Sequence, residues 1–574
     1  MTSWKIFLES WKKIYRQRWH FVFAVGILHL FSATIGTFLL SFLLQSFLSW
    51  LGYDNLTKDN FVGVITNPMA IFAFLVYALT VSFFLLFEFS FLFQLVLASR
   101  RRVNFSLKNV TVGAFSEFRS VLNPQIFVLI FYFVAMIPLS NLGLSSFLFD
   151  KLHIPKFIVD ELMKSTSGTL IYLAFFAVVF WVNFRLIFLL PLTIINKNST
   201  FRNVRWSWRL TRKYSAKLFG VGLIYAFLVF VILLISVLIF GGVFAILGSN
   251  LKTIEAILLT DFVQNFVIFI LAVFSKVLFA EILLYFLVDE EKLPVEIKFG
   301  VPKKTDVVRM RWILVVNSLI LVGALGWNVW TFYSTKINRQ TEIIAHRGET
   351  SSAVENSLEA LENAKKYGAD FVEMDLIMTR DHKFAVIHDF ELGRLAGRNE
   401  KVQDLTLSEL EKIEVRSGNF SSKITSFEKF AERARKLNMK LFVELKMTGN
   451  EPKNYTELFL KAWEKAKLPN GSKVISLNLA ELESIESKKP EIRTGYIIPI
   501  QFGNLDSRAK VDFFVIEDFS FNKRILKQAH KMGKKIYVWT INDSNLLAKY
   551  LSSNVDGIIT DSVREAVSLR LHKK

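Results

Sequence analysis

Apolar runs long enough to cross a bilayer fill most of the first 333 residues, and a soluble fold cannot absorb them. About 20 consecutive apolar residues span the hydrocarbon core as a helix. Seven such runs occur, at 21–52, 70–98, 125–149, 169–195, 218–247, 262–288 and 312–333. The first is too long for a cleaved leader and is followed by further spans. The 57 phenylalanines among 574 residues fit lipid-facing helices better than a soluble core. From about residue 334 the character changes. Charges are spread throughout, and short β-rich runs alternate with helical ones. Two domains are expected, a helical membrane domain over 1–333 and an α/β domain over 334–574.

The net charge of +20 would raise nucleic acid as a partner in a soluble protein. Here the excess sits in alternate loops. The segments 1–20, 99–124, 196–217 and 289–311 carry 5, 5, 7 and 6 Lys and Arg, against 1, 3 and 1 near 53–69, 150–168 and 248–261. Positive loops stay in the cytoplasm. The expectation is therefore a cell-membrane protein with a cytoplasmic N-terminus and, after seven crossings, an extracellular C-terminal domain. No nucleic-acid partner is expected. The absence of cysteine excludes disulfides, thiolate metal sites and thiol catalysis.

Two basic segments also read as interfacial helices. Trp4, Phe7, Leu8, Trp11, Tyr15 and Trp19 recur at helical spacing with Lys5, Lys12, Lys13 and Arg16 between them. Arg202–Lys217 looks like a second copy, and Asn104–Leu122 like a weaker third. Each unit would hold one interfacial helix and two spans. The second span of each carries a charge, Glu88, Arg185 and Glu281, at intervals of 97 and 96 residues. Two readings of these charges stand side by side. One is a structural ion pair of Arg185 with one or both glutamates, the other a polar groove for a lipid headgroup.

In the C-terminal half nine strand candidates alternate with helical patterns, the rhythm of a (β/α)8 TIM barrel with one strand too many. Thr379–Lys383 is too short for a crossover helix, so Phe371–Met378 and Phe384–His388 are expected to form a hairpin-like excursion. In such barrels chemistry sits at the C-terminal ends of the strands, and the polar residues fall there. His346, Arg347 and Gly348 end the first strand. Glu373 and Asp375 lie two apart, and so leave one face of the second. His388 follows the third, Glu444 and Lys446 share a face of the next, and Trp539 ends a late one. Three converging carboxylates repel one another unless a hard cation sits among them, so Glu373, Asp375 and Glu444 are candidate ligands for Mg²⁺ or Ca²⁺. His346 and His388 suit general acid and base work. Arg347 and Lys446 suit a phosphodiester charge, and Trp539 suits stacking on an apolar part of the substrate.

These residues, with Glu355-Asn356-Ser357, Thr379-x-Asp381, His388-Asp389, Trp539-Thr540-x-Asn542 and Asp556-Gly557-x-x-Thr560-Asp561, give a pattern that resembles the glycerophosphodiester phosphodiesterase family over nearly all of 342–565. The N-terminal half resembles the membrane domain fused to some bacterial members. The resemblance implies hydrolysis of glycerophosphodiesters to glycerol 3-phosphate and an alcohol, with attack by a glycerol hydroxyl, through a cyclic phosphate, as one route. It implies metal binding by Glu373, Asp375 and Glu444, acid–base work by His346 and His388, and a phosphate contact from Arg347. Two positions depart from the family pattern: Val354 stands for the usual Pro and Ser357 for the commoner Thr. Free glycerophosphodiesters, polyglycerol-phosphate wall polymers such as teichoic acid, and lipid headgroups all fit as substrates, and the elaborate membrane half favours lipid-linked ones. The rival reading is a lipid transporter or scaffold whose barrel only binds glycerophosphate groups. The intact histidines stand against it.

Overall fold

The computed structural model describes residues 1–51, 55–57, 66–100, 110–115, 126–136, 159, 162–163, 166–196, 199–247, 253–294 and 337–571. These residues fall into two compact units, one built from helices and one holding the barrel.

Five helices of the first unit are long and apolar enough to cross a membrane: Arg18–Trp50, Pro68–Arg100, Ser167–Ile195, Thr200–Leu238 and Val267–Glu290. Each coincides with an expected span. The run at 125–149 is described only as the 11-residue helix Ile126–Met136, and the run at 312–333 lies outside the described residues. The N-terminal interfacial helix is Ser3–Arg16, with Thr2 accepting from the Lys5 N–H. It buries Ile6, Phe7, Ser10 and Ile14 and leaves Trp4, Tyr15 and the nearby Trp19 exposed. The second basic segment is not a separate helix. It runs on into the span as one helix, Thr200–Leu247. The two basic segments touch, with Ser3 Oγ donating to the Lys217 carbonyl (3.3 Å). Of the third proposed copy only 110–115 is described, as helix.

The ion pairs differ from the expected one. Glu88 pairs with Lys276 (3.1 Å), whose Nζ also lies 2.8 Å from His29 Nε2. Glu281 pairs with Arg100 (2.8 Å) and Lys13 (3.3 Å). Arg185 reaches neither glutamate. The span that carries it is broken after Leu186, so Arg185 stands in the last turn of the helix Thr166–Leu186. The Ser207 hydroxyl holds the break, accepting from the Phe188 N–H (3.2 Å) and donating to the Arg185 carbonyl (2.7 Å).

The second unit is a closed barrel of eight parallel strands: β1 (Glu342–Ala345), β2 (Phe371–Met378), β3 (Lys440–Lys446), β4 (Lys473–Ser476), β5 (Arg493–Ile498), β6 (Phe513–Glu517), β7 (Lys535–Trp539) and β8 (Gly557–Thr560). They pair in chain order, and β1 closes the ring against both β8 and β2. The ninth candidate is the expected excursion: Phe384–Val386 pairs antiparallel to β2 and is no stave. Helices follow every strand except β5, among them Leu358–Lys366, Phe427–Lys436 and Lys523–Lys531.

Two layers hold the barrel. Outward-facing residues such as Val372, Leu441 and Phe514 pack beneath the helices. Inward-facing Phe371, Phe442, Phe513 and Tyr537 fill the interior edge to face. At the N-terminal end Lys473 lies among these rings, with its ammonium 4.5–5.5 Å from the four centroids. It also bonds to Glu342 (3.1 Å). The ion pair and the ring quadrupoles together offset the burial of that charge. This closes the bottom of the barrel and leaves the opposite end for chemistry.

Candidate active site

Neighbouring strands in register bring the acids together. Asp375 on β2 is the direct partner of Glu444 on β3, and Glu373 lies one pleat back on the same face. Ligand oxygens of Glu373, Asp375 and Glu444 come within 4.8 Å of one another, and all three side chains are buried. Burial, with the charges of Asp375 and Glu444, raises Glu373 well above the ordinary carboxylate range. Burial raises Glu444 as well. At Asp375 burial is outweighed by Lys446, His388 and Arg347, and the carboxyl is held low. Lys446 lies 2.7 Å from Glu444 and 3.3 Å from Asp375, so it already shares the charge of two acids. A site whose acids compete for protons in this way is one that a divalent cation fits.

The β1 terminus wraps around these acids. Arg347 takes a positive φ of 55°, which lets its backbone N–H donate to Glu373 Oε2 (2.8 Å) while its guanidinium reaches Glu355 (3.0 Å) and Asp375 (3.5 Å). Gly348 follows with φ 89°, and a Cβ there would lie 2.6 Å from that of Ala360, so only glycine fits. Asn356 donates to Asp375 Oδ2 (2.8 Å) and accepts from its backbone N–H (3.1 Å).

Each histidine is gripped at Nδ1. His346 Nδ1 lies 2.8 Å from Asp561 Oδ1, and Asn542 donates to the other oxygen of that carboxylate (2.6 Å). His388 Nδ1 lies 2.7 Å from Asp389 Oδ1. Burial, with Lys446, lowers His388 to about 4, so its ring is neutral at ordinary pH. With Nδ1–H given to the carboxylate, Nε2 is left as the basic nitrogen. Burial notwithstanding, His346 and Asn542 hold Asp561 down at about 2.

Glu355, His388 and Asp389 also bring ligand atoms within 4.8 Å. Arg394, however, forks to Glu355 (2.7 Å) and Asp389 (2.6 Å), so this cluster already holds its cation. Trp539 stands at the end of β7, half-buried above the interior rings, with Nε1 donating to the Val515 carbonyl (3.3 Å). Arg394 had no sequence signal, because it lies on the four-residue helix Gly393–Ala396 outside any barrel strand. Glu517 was also missed. It ends β6 as the register partner of Trp539. Asp561 and Asn542 stood in the sequence pattern without roles, and their bonds to one another supply them.

Residues 7–326 match the membrane domain of glycerophosphoryl diester phosphodiesterase, and residues 346–565 match the glycerophosphoryl diester phosphodiesterase family. A glycerophosphodiester phosphodiesterase of Caldanaerobacter subterraneus is 25% identical over 239 residues, covering 40% of this chain and 98% of the relative. One of Bacillus altitudinis is 25% identical over 250 residues, covering 41% and 100%. Among solved structures, an Oleispira antarctica phosphodiesterase in complex with sn-glycerol-3-phosphate is 22% identical, covers 40% of this chain and 96% of that one, and has a TM-score of 0.36.

Proposed function

Because this chain belongs to the glycerophosphoryl diester phosphodiesterase family and carries that family's membrane domain ahead of its barrel, we propose how its residues divide the work. The chain is a membrane-associated glycerophosphodiester phosphodiesterase. The domain boundary falls near residue 334. Glu373, Asp375 and Glu444 hold a divalent cation, Mg²⁺ or Ca²⁺. When bound, it polarises a phosphoryl oxygen and orients the attacking hydroxyl. Arg347 and Lys446 take up the remaining phosphate charge. His388, neutral, accepts a proton from the nucleophile, and His346 delivers one to the leaving alcohol. Trp539 meets the alcohol side of the substrate. The catalytic domain lies outside the cell, and its substrates include glycerophosphodiesters linked to lipid or to teichoic acid.

The observation that carries this reading is the convergence of three buried carboxylates between two histidines, each held at Nδ1 by its own aspartate. A barrel that only binds has no use for two such histidines. The test is mass spectrometry of products from the full chain, given a panel of glycerophosphodiesters and lipoteichoic fragments, with chelator and then with added Mg²⁺ or Ca²⁺. Glycerol 3-phosphate should appear, vanish with chelator and return with the metal. Glu373→Gln, Asp375→Asn and Glu444→Gln should each abolish it in a folded protein. Turnover in chelator, or near-normal rates in any of the three variants, would remove the ligand set.

A further inference from the structure

Among the described residues the buried charges of the helical unit have partners of opposite sign. Glu88 has Lys276, Glu281 has Arg100 and Lys13, Lys213 has Glu291 (2.6 Å), and Lys217 has Glu290 (3.5 Å). Arg185 is different. No carboxylate among the described residues lies within ion-pair distance of it. Among the described residues its side chain makes one hydrogen bond, from Nη1 to Thr211 Oγ1 (3.4 Å), and its buried Nε has no partner there. What surrounds it instead is aromatic. The guanidinium lies 5.9 Å from the Trp181 ring and 5.6 Å from the Trp208 ring, and the two indoles meet edge to face at 5.2 Å. Both indoles are largely exposed.

Depth gives this cluster its meaning. Thr166–Leu186 is 21 residues long, which at ~1.5 Å per residue is about the thickness of the hydrocarbon core. With that piece of the Ser167–Ile195 span as the crossing segment, its last turn stands at headgroup level, where tryptophan collects. Arg205 and Arg212 lie three residues before and four after Trp208 on Thr200–Leu247, so they flank it on one helix face, and both are exposed. The neighbouring surface is apolar: Phe180, Phe184 and Phe219 stack together, and Phe180 and Phe219 are exposed. A cationic pocket walled by interfacial indoles above an apolar strip matches a phosphate headgroup above its acyl chain.

We propose that Arg185, Trp181 and Trp208, with Arg205 and Arg212, form a binding site for the phosphate of an anionic phospholipid. All five residues belong to the helical unit, and the proposal does not depend on the catalytic assignments. Its test is native mass spectrometry of the full chain titrated with dioleoyl phosphatidylglycerol or dioleoyl phosphatidylcholine. Phosphatidylglycerol should be retained in preference. Arg185→Gln should weaken that retention about tenfold, the loss of one charge-assisted bond. Hydrolysis of a soluble glycerophosphodiester should stay unchanged. If Arg185→Gln does not fold, the paired exposed variants Arg205→Gln and Arg212→Gln must show the weakening. Equal retention of the two lipids by the wild type would overturn the proposal. So would wild-type retention by a folded Arg185→Gln, or by the paired variants where Arg185→Gln does not fold. Displacement by excess inorganic phosphate would reassign the site to a soluble anion.

Discussion

His346 and His388 have the same partner chemistry in different surroundings, and that difference sets what each can do. Removing either imidazole should lower kcat by roughly 10²–10⁴, measured as alcohol release from a soluble glycerophosphodiester. The double variant should lose much less than the product of the two, because both serve one proton-transfer sequence. A fully multiplicative loss would mean independent roles. Glu517 gives a prediction of another kind. Its carboxyl is buried and accepts from the Phe519 N–H (2.6 Å), and burial raises it from 4.5 to about 7. A folded-state pKa above the unfolded one means that the protonated form is what folding favours. The stability this group contributes is therefore full below about 4.5 and is lost as pH rises through about 7. Glu517→Gln should hold its melting temperature across that window while the wild type falls by a few degrees. Parallel melting curves for the two proteins would show that Glu517 does not titrate there. The sequence placed His346, His388 and the three acids at strand ends because a strand's two-residue period projects them onto one face. It could not place Arg394, since a residue on a short loop helix leaves no periodic trace. Glu517, by contrast, shares the inward face of β6 with Phe513 and Val515 and was missed by reading that strand one residue short.

At the scale of elements, strands were legible wherever β-rich runs met turn residues. The excursion was legible as well, because five residues between two strands leave no room for a crossover. Missing from the sequence reading were the exposed hairpin Glu414–Ser417 with Phe420–Lys423 and the break after Leu186. The break is invisible to hydropathy, because Ile187 and Phe188 are as apolar as the helices they separate. Its position depends on the Ser207 hydroxyl, which is remote in sequence. Missing that break, the pattern paired Arg185 with the wrong partners. Packing inside the barrel supplies a sharper test. A Cβ on Gly495 would lie 2.0 Å from the Phe513 ring, which itself packs edge to face with Phe442 and Tyr537. Gly495→Ala should therefore destabilise the barrel by at least ~1–3 kcal/mol, and Gly495→Val should prevent it from accumulating. Thermal unfolding and yield of the purified chain would check this. An alanine variant that melts with the wild type would show slack in the interior layer.

At the scale of the whole molecule the open question is which side of the membrane the barrel meets, and the loop charges argue for the outside. The four loops placed in the cytoplasm are each richer in Lys and Arg than any of the three placed outside. Inverting the chain would carry that excess outward, against the bias. The catalytic domain does not oppose export, because long domains cross largely regardless of charge. Parity decides the outcome, and parity rests on the runs at 125–149 and 312–333, which are the two not represented among the five long apolar helices. Either run, if it turned back within the bilayer, would bring the barrel inside to meet cytoplasmic glycerophosphodiesters. The chain has no native cysteine, so single introduced thiols report cleanly. Ser507 and Ala216 are both exposed, one on the barrel and one on the second basic segment. With a membrane-impermeant thiol reagent on intact cells, Ser507→Cys should label and Ala216→Cys should label only after lysis. Labelling of Ala216→Cys but not of Ser507→Cys would invert the chain or remove the crossing at 125–149. Protection of both would leave the N-terminus inside with an even number of crossings, and either result would end the case for substrates at the cell surface.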